Sequence, residues 1–255
     1  MTEPALFAGT SGWAYPTWKP GFYPREVPAR KFLEHYAGRL NSVEVNFTFR
    51  KAVTSAQLNG WLRATPADFR FSFKTPDSIT HVRRLRDCHA VLAEFVASLA
   101  PVVDAGKHGA VLLQMPPNFR SASLGKDKRT NFSALADFLA STEQLRSQSQ
   151  WKFAMEFRDA GWFAEDVYAL LRAHGVALCQ AESEGLSTPA VRTADFNYAR
   201  LRSQYSVEQL NGVLEEQVSI ATQGEAYCYF KHEDAPDGAL RAEKLLHAWR
   251  QKQAR

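Results

Sequence analysis

Short apolar runs alternate with helix-spaced stretches along the whole chain. Strand patterns fall at residues 6–10, 42–46, 69–74, 109–114, 152–157, 176–180, 197–202 and 226–230. Helical spacing falls at 29–40, 54–63, 88–105, 132–139, 164–174, 207–222 and 239–251. Phe32, Leu33, Tyr36 and Leu40 set the first of these periods. Thr54 or Ser55 supplies a helix cap, Ser206 another, and Gly106 and Gly175 act as stops. Only the stretch 181–196 looks short of a helix. Loop 120–131, with Arg120, Lys126, Lys128 and Arg129, is the one candidate for a disordered stretch.

Strands that alternate with helices predict a parallel sheet. Eight such units in 255 residues predict an α/β protein, a (β/α)8 TIM-like barrel forming a single domain over 1–255. A doubly wound open sheet is the alternative. That fold usually carries a glycine-rich phosphate loop after its first strand, and Gly9-Thr-Ser-Gly12 is not GxGxxG.

In such a barrel the C-terminal strand ends and the loops beyond them share one face, where chemistry is found. Side chains alternate along a strand, so Ala154, Glu156 and Arg158 share a side, as do Glu44 and Asn46. Sorted this way, the mouth receives Thr10, Ser11, Trp13, Glu44, Asn46, Lys74, His81, Gln114, Glu156 and Arg158 from the first five strands. The last three bring Gln180, Glu182, Arg200, Arg202, Lys231 and His232. Burying so many polar ends for structure alone is costly.

Glu44 and Glu156 lie in apolar strands on different parts of the ring, so they suit a division of acid and base roles. The alternative for each is a carboxylate that only closes a hydrogen-bond network or ion pair. Lys74, among phenylalanines, suits a base or a Schiff-base nucleophile. Its alternative is a lysine paired with Glu44 or Glu156. Trp13, Asn46, His81, Gln114, Arg158, Trp162, Arg200 and Lys231 complete the candidate site as ligand contacts. A metal is disfavoured, because no HxH, HExxH or DxD spacing supports one; the sequence names no cofactor.

Composition adds little. Hydrophobic residues are 45% and charged residues 23%, as in an ordinary soluble globule. The net charge of +4 permits an anionic partner without demanding one. Basic loops beside Trp13, Tyr15, Trp18, Phe22, Tyr23 and Trp162 suit an anionic small molecule or a nucleic acid. Three cysteines with no CxxC pair, and no signal-peptide pattern, fit a cytoplasmic protein. No stretch is apolar and long enough to span a bilayer. Nothing implies a protein partner.

A set of motifs in fixed order carries a family resemblance. They are Gly9-Thr-Ser-Gly-Trp13, Phe22-Tyr-Pro24, Val43-Glu-Val-Asn-Phe-Thr-Phe49, Thr65-Pro66, Phe71-Ser-Phe-Lys74 and Ile79-Thr-His81. Leu113-Gln-Met-Pro-Pro117, Glu156-Phe-Arg158 with Trp162, and Tyr229-Phe230 follow. Together the chain resembles the YecE-like family, a bacterial domain of unknown function. The resemblance implies a TIM-barrel-like fold and no particular reaction. It points to Glu44, Asn46, Lys74, His81, Gln114, Glu156 and Arg158 as the site. The chain departs from the family pattern at Arg50, at Gln180-Ala-Glu-Ser183 and after Leu201, where Arg202 stands in place of the usual His-Gly. An altered substrate or a lost activity is compatible with those changes. The function these features suit is a hydrolase or isomerase acting on a phosphorylated or nucleic-acid-derived anion; the alternative is a non-catalytic nucleic-acid-binding barrel.

Overall fold

In the computed structural model, residues 4–183, 185–231 and 234–254 are described. His232 lies outside them. The strands are β1 (Ala5–Thr10), β2 (Ser42–Val45), β3 (Arg70–Lys74), β4 (His108–Gln114), β5 (Lys152–Glu156), β6 (Ala177–Leu178), β7 (Gln180–Ser183), β8 (Leu186–Ser187), β9 (Phe196–Leu201) and β10 (Glu225–Phe230). Two five-stranded sheets form, in the orders β1-β10-β9-β7-β8 and β2-β3-β4-β5-β6. Every pairing is parallel except the β7–β8 hairpin. The fold is therefore α/β with parallel sheets, as the alternation predicts.

The ladders do not close into one continuous sheet. β6 and β7 follow one another across Cys179 yet pair in different sheets. β1 meets β2 only at a parallel bridge between Ser11 and Glu44. Gly9 sits where these strands come closest: a Cβ there would lie 1.8 Å from the Ser42 carbonyl oxygen and 2.5 Å from the Tyr36 hydroxyl. Gly9→Ala is expected to cost at least the ~1–3 kcal/mol of a core overpacking. A thermal melt within a degree or two of wild type would show that the β1–β2 approach is looser than this.

Period-two alternation sorts the strand residues into two cores. Val43, Val45, Phe71, Phe73, Val111, Leu113, Phe153, Met155, Ala199 and Leu201 join the core beneath the helices. The residues between them, Ala110, Leu112, Ala154, Tyr198, Tyr227 and Tyr229 among others, form a second core drawn from both sheets. This is why Glu44 does not face the helices: its neighbours Val43 and Val45 do.

The helices are α1 (Phe32–Ala37), α2 (Ser55–Arg63), α3 (His89–Ser98), α4 (Ala100–Asp104), α5 (Asn131–Ser141), α6 (Glu143–Gln148), α7 (Glu165–Ala173), α8 (Val207–Ala221) and α9 (Asp237–Gln253). Thr54 and Ser206 form capping boxes with Gln57 and Gln209. The helical stretch expected at 88–105 is two helices. Pro101 has no N–H to continue the ladder, and it falls in the first turn of α4, where none is needed. Helix α6 is not apparent in the pattern, because its polar run, Glu-Gln-Leu-Arg-Ser-Gln, has almost no apolar face. Stretch 181–196 holds the β7–β8 hairpin in place of a helix. Among the described residues, no helix is long and apolar enough to cross a membrane.

Loop 120–131 is ordered, contrary to expectation. Arg86 clasps it, donating to Asp127 (3.0 Å), Asn131 Oδ1 (3.2 Å) and the Arg129 carbonyl (3.2 Å). Leu124 bridges to Thr130, and Thr130 caps α5 by accepting from the Ser133 amide.

Candidate functional site

The hub of the molecule is Arg200, on the inward face of β9 and 1% exposed. Its Nη1 donates to Glu156 Oε2 at 2.5 Å, its Nη2 to Glu44 Oε1 at 2.8 Å, and its Nε to the same Glu44 oxygen at 3.2 Å. One guanidinium thus ties β2, β5 and β9 together across the inner core. Ser11 Oγ also donates to Glu44 Oε1 (2.7 Å), and the Tyr198 hydroxyl donates to Glu44 Oε2 (2.7 Å). Alternation places Tyr198 two residues before Arg200 on the same face.

Glu156 has a second set of partners. Gln114 sits opposite it in the β4–β5 register and donates Nε2 to both carboxylate oxygens at 2.8 Å. The amide nitrogen must face the carboxylate, so the amide oxygen faces the other way and accepts from Lys74 Nζ at 2.7 Å. Lys74 is itself 8% exposed, and its ammonium lies 3.6 Å from the centre of the Phe49 ring. Arg158 Nε and Arg202 Nη2 flank Glu156 Oε1 at 3.3 and 3.6 Å. Neither Nε hydrogen, of Arg158 or of Arg202, is aimed at an acceptor. The buried Oδ1 of Asn46 likewise has no hydrogen-bond partner.

The electrostatics follow from this wiring. Burial pushes both carboxyls up, but the neighbouring cations win. For Glu156, Arg200, Arg202, the Gln114 hydrogen bonds and Arg158 bring the net down to about 2. For Glu44, Arg200, Ser11 and Tyr198 also bring the net down. Lys74 moves down to about 8, first by burial and then by Arg200, against the pull of Glu44 and Glu156. His81 is lowered by burial and then by Lys74; its Nδ1 lies 2.9 Å from Thr80 Oγ1, and its ring meets Phe49 edge-on. The layer holds two carboxylates, Glu44 and Glu156, against three guanidiniums and the Lys74 amine.

The expected site residues therefore divide. Glu44, Glu156, Lys74, Gln114, Arg158 and Arg200 are in one connected network, with His81 and Asn46 beside it. Trp13 packs edge-on against Trp61 at 5.1 Å and belongs to the outer core. Trp162 is fully buried between Phe157 and Phe119, which stack on it at 4.4 and 5.1 Å, and its Nε1 donates to the Phe119 carbonyl. Its ring has no face left for a ligand. Lys231 follows β10, and its amide donates to the Leu201 carbonyl. Phe49 and Tyr198 are absent from the expected set. Phe49 has no polar atom to attract notice, and Tyr198 sits one alternation step below the strand end.

The basic loops are largely committed within the chain. Arg50 pairs with Asp77 (2.8 Å), Arg86 with Asp127, Arg129 with Asp137 and Arg120 with Asp159 (3.6 Å). Arg84 donates to Asn118 Oδ1. At the departures from the family pattern, Glu182 accepts from the amides of Arg202 and Ser203 and from the Tyr205 hydroxyl, which anchors the segment after β9. Gln180 and Ala181 pair in register with Ala199 and Arg200. Among the described residues, no group of three or more His, Cys, Asp or Glu is arranged to hold a metal ion.

Comparison with known proteins supplies a family and no reaction. A family model described as "Protein of unknown function DUF72" matches residues 7–255. The UPF0759 protein YecE of Escherichia coli strain K12 is 29% identical over 161 residues, covering 63% of this chain. The matched stretch spans 51%, about half, of that relative's own length. YunF of Bacillus subtilis strain 168 is 23% identical over 209 residues, covering 77% of this chain and 69% of that one. A DUF72 family crystal structure from Thermotoga maritima superposes with a TM-score of 0.81 at 25% identity, covering 96% of this chain and 99% of its own. Another, from Enterococcus faecalis, gives 0.74 at 17% identity over 95% and 96%.

Proposed function

Because the chain belongs to the DUF72 family of proteins of unknown function, its activity has to be read from its own site, and we propose that this site binds a small anion beside a reactive lysine. The two sheets are read as halves of one (β/α)8 TIM-like barrel domain. The seams lie at Ser11–Glu44 and at Cys179, and the network lies at the C-terminal strand ends, where such barrels place their chemistry. The observation that carries the reading is the excess of cations in one buried layer. Arg158 and Arg202 both lean on Glu156, which Arg200 already meets at 2.5 Å. Both side chains stay partly exposed, at 26% and 16%, and a guanidinium is a strong partner for a carboxylate or phosphate.

Roles follow from charge state. Glu44 and Glu156 are held ionised and enclosed, which suits anchors that orient Arg200 and Gln114 better than bases that take protons. Lys74 is the group poised to exchange a proton near neutrality. His81 and Asn46 line the same mouth as further ligand contacts. A hydrolase or isomerase acting on a phosphorylated small molecule is the enzyme class this suits. Nucleic-acid binding is the weaker reading, because Arg50, Arg86, Arg120 and Arg129 already face aspartates. Three buried, unbridged cysteines accord with a cytoplasmic setting.

Inorganic phosphate titrated at low salt tests the reading. Its binding is expected to raise the melting temperature, by an amount equivalent to about 2.7 kcal/mol at a hundredfold excess over Kd. The rise should vanish in an Arg158→Ala/Arg202→Ala double variant. No rise in the folded wild type, or an equal rise in the double variant, rejects the site. A single-stranded oligonucleotide that binds with a steep salt slope would favour the nucleic-acid reading instead.

A further inference from the structure

We propose that Lys74 is a Schiff-base lysine, whose amine condenses with the carbonyl of a small substrate held through its anionic group by Arg158 and Arg202. This rests on the anion site proposed above and names the substrate class: an aldehyde or ketone bearing a carboxylate or phosphate.

Three features of the lysine support it. First, Nζ is held in place. It donates to Gln114 Oε1 at 2.7 Å, and Gln114 is held in that orientation because its Nε2 donates to the carboxylate of Glu156, 2.8 Å from both oxygens. Turning the amide would set its oxygen against a carboxylate and its nitrogen against an ammonium. Second, the four-carbon stem is buried, and the Phe49 ring covers one side of Nζ at 3.6 Å. An aromatic face stabilises a cation without removing its hydrogens, so it also accommodates the cationic iminium. Third, burial is the first cause that holds the amine down, and the guanidiniums of Arg200 and Arg158 offset the opposite pull of Glu44 and Glu156. The carboxylates are engaged by Arg200, so neither pairs directly with Nζ. This removes the alternative of a simple Lys74 salt bridge.

The chemistry balances without an oxidant or a metal. The neutral amine forms a bond to the carbonyl carbon, the carbonyl oxygen takes a proton and the nitrogen loses one, giving a carbinolamine. The hydroxyl then leaves as water and a carbon–nitrogen double bond forms. The protons exchange with water. A pKa of about 8 in place of 10.5 gives Lys74 on the order of a hundredfold more neutral amine at pH 7 than an ordinary lysine. The carbon next to the iminium becomes acidic, which is the route to isomerisation or carbon–carbon cleavage.

Reductive trapping tests this. The intact protein is incubated at pH 7 with sodium cyanoborohydride and one of three probes: glycolaldehyde phosphate, glyoxylate or uncharged glycolaldehyde. Adducts are mapped by peptide mass spectrometry. The expected result is a single reduced adduct on Lys74 that forms at least about tenfold faster than on any other lysine, given its larger neutral fraction. An anionic probe should outpace the uncharged one, and the faster of the two anionic probes identifies phosphate or carboxylate as the recognised group. Inorganic phosphate should slow the labelling, and Lys74→Arg, which keeps a cation over Phe49, should abolish it. Labelling spread over exposed lysines, with Lys74 unmodified by either anionic probe, overturns the proposal. Equal rates with glycolaldehyde and its phosphate overturn the substrate class. Phosphate stabilisation that persists while Lys74 stays unlabelled refutes the Schiff base and leaves the anion site standing. Loss of both refutes the anion site as well.

Discussion

Arg200→Met is expected to lower the melting temperature by roughly 6–20 °C, from a cost of about 3–5 kcal/mol for breaking a buried ion network and roughly 2–4 °C per kcal/mol in a chain of this size. The side chain is 2% exposed and both carboxylates it joins are at most 1% exposed. Removing it leaves Glu44 and Glu156 without their principal counter-charge, so burial then drives both carboxyl pKa values upward. The pH dependence should therefore invert. Groups whose folded pKa is raised add stability that is present at low pH and lost as pH rises through that pKa. The variant should recover stability on acidification from pH 7 towards pH 5, where wild type gains nothing. Adding Glu44→Gln and Glu156→Gln should recover much of the loss, because a neutral network of similar shape is often no less stable than a charged one. A calorimetric melt of Arg200→Met within about 2 °C of wild type, below the loss expected from even 1 kcal/mol, would falsify the hub.

Glu156→Gln carries the second large effect. It keeps the shape and removes one charge from the contacts with Arg200, Arg202 and Arg158, and it leaves Gln114 facing one oxygen where it had two. At pH 7 the loss is expected to be of order 3–5 kcal/mol. The folded pKa is depressed from 4.5 to about 2, so this contribution is complete above 4.5 and fades as pH falls towards 2. The gap between wild type and variant, measured by urea unfolding, should be constant from pH 7 to 5 and narrow below 4.5. A protonated Glu156 and the glutamine that replaces it are then nearly equivalent. A gap that holds steady down to pH 3 would mean that Glu156 acts through shape alone. If the variant keeps its stability at pH 7 but no longer binds phosphate, Glu156 belongs to the ligand contacts and not to the scaffold.

The two variants also separate anchoring from chemistry. Each acts through Arg200 and Gln114, so each should shift the reactivity of Lys74 towards the trapping probes without removing the nucleophile. Lys74→Arg should do the reverse, leaving the melt close to wild type while ending adduct formation.

Much of this architecture is legible in the chain. Local periodicity marks the longer strands and, in three of them, the inward face: Val43 and Val45 against Glu44, Phe71 and Phe73 against Ser72 and Lys74, Phe153 and Met155 against Ala154 and Glu156. Period two is a property of neighbouring residues and needs no tertiary information. The motif from Glu156 to Arg158 likewise foretells a carboxylate and a guanidinium on one side, 3.3 Å apart in the fold. What the sequence could not decide is which charges meet. The strongest partner of Glu156 is Arg200, 44 residues away, and Arg200 reaches Glu44 across 156 residues. Such distances are set by strand order and register, which depend on how the sheets pack. The same holds for the basic loops, whose arginines look available until the aspartates opposite them are placed. It holds for Trp162, whose role turns on the rings of Phe119 and Phe157 closing over it. Alternation and composition determined which side chains face inward; only the packing of the two sheets determined that three guanidiniums and a lysine share one layer with two carboxylates, because Coulomb interactions depend on separation in space and not along the chain.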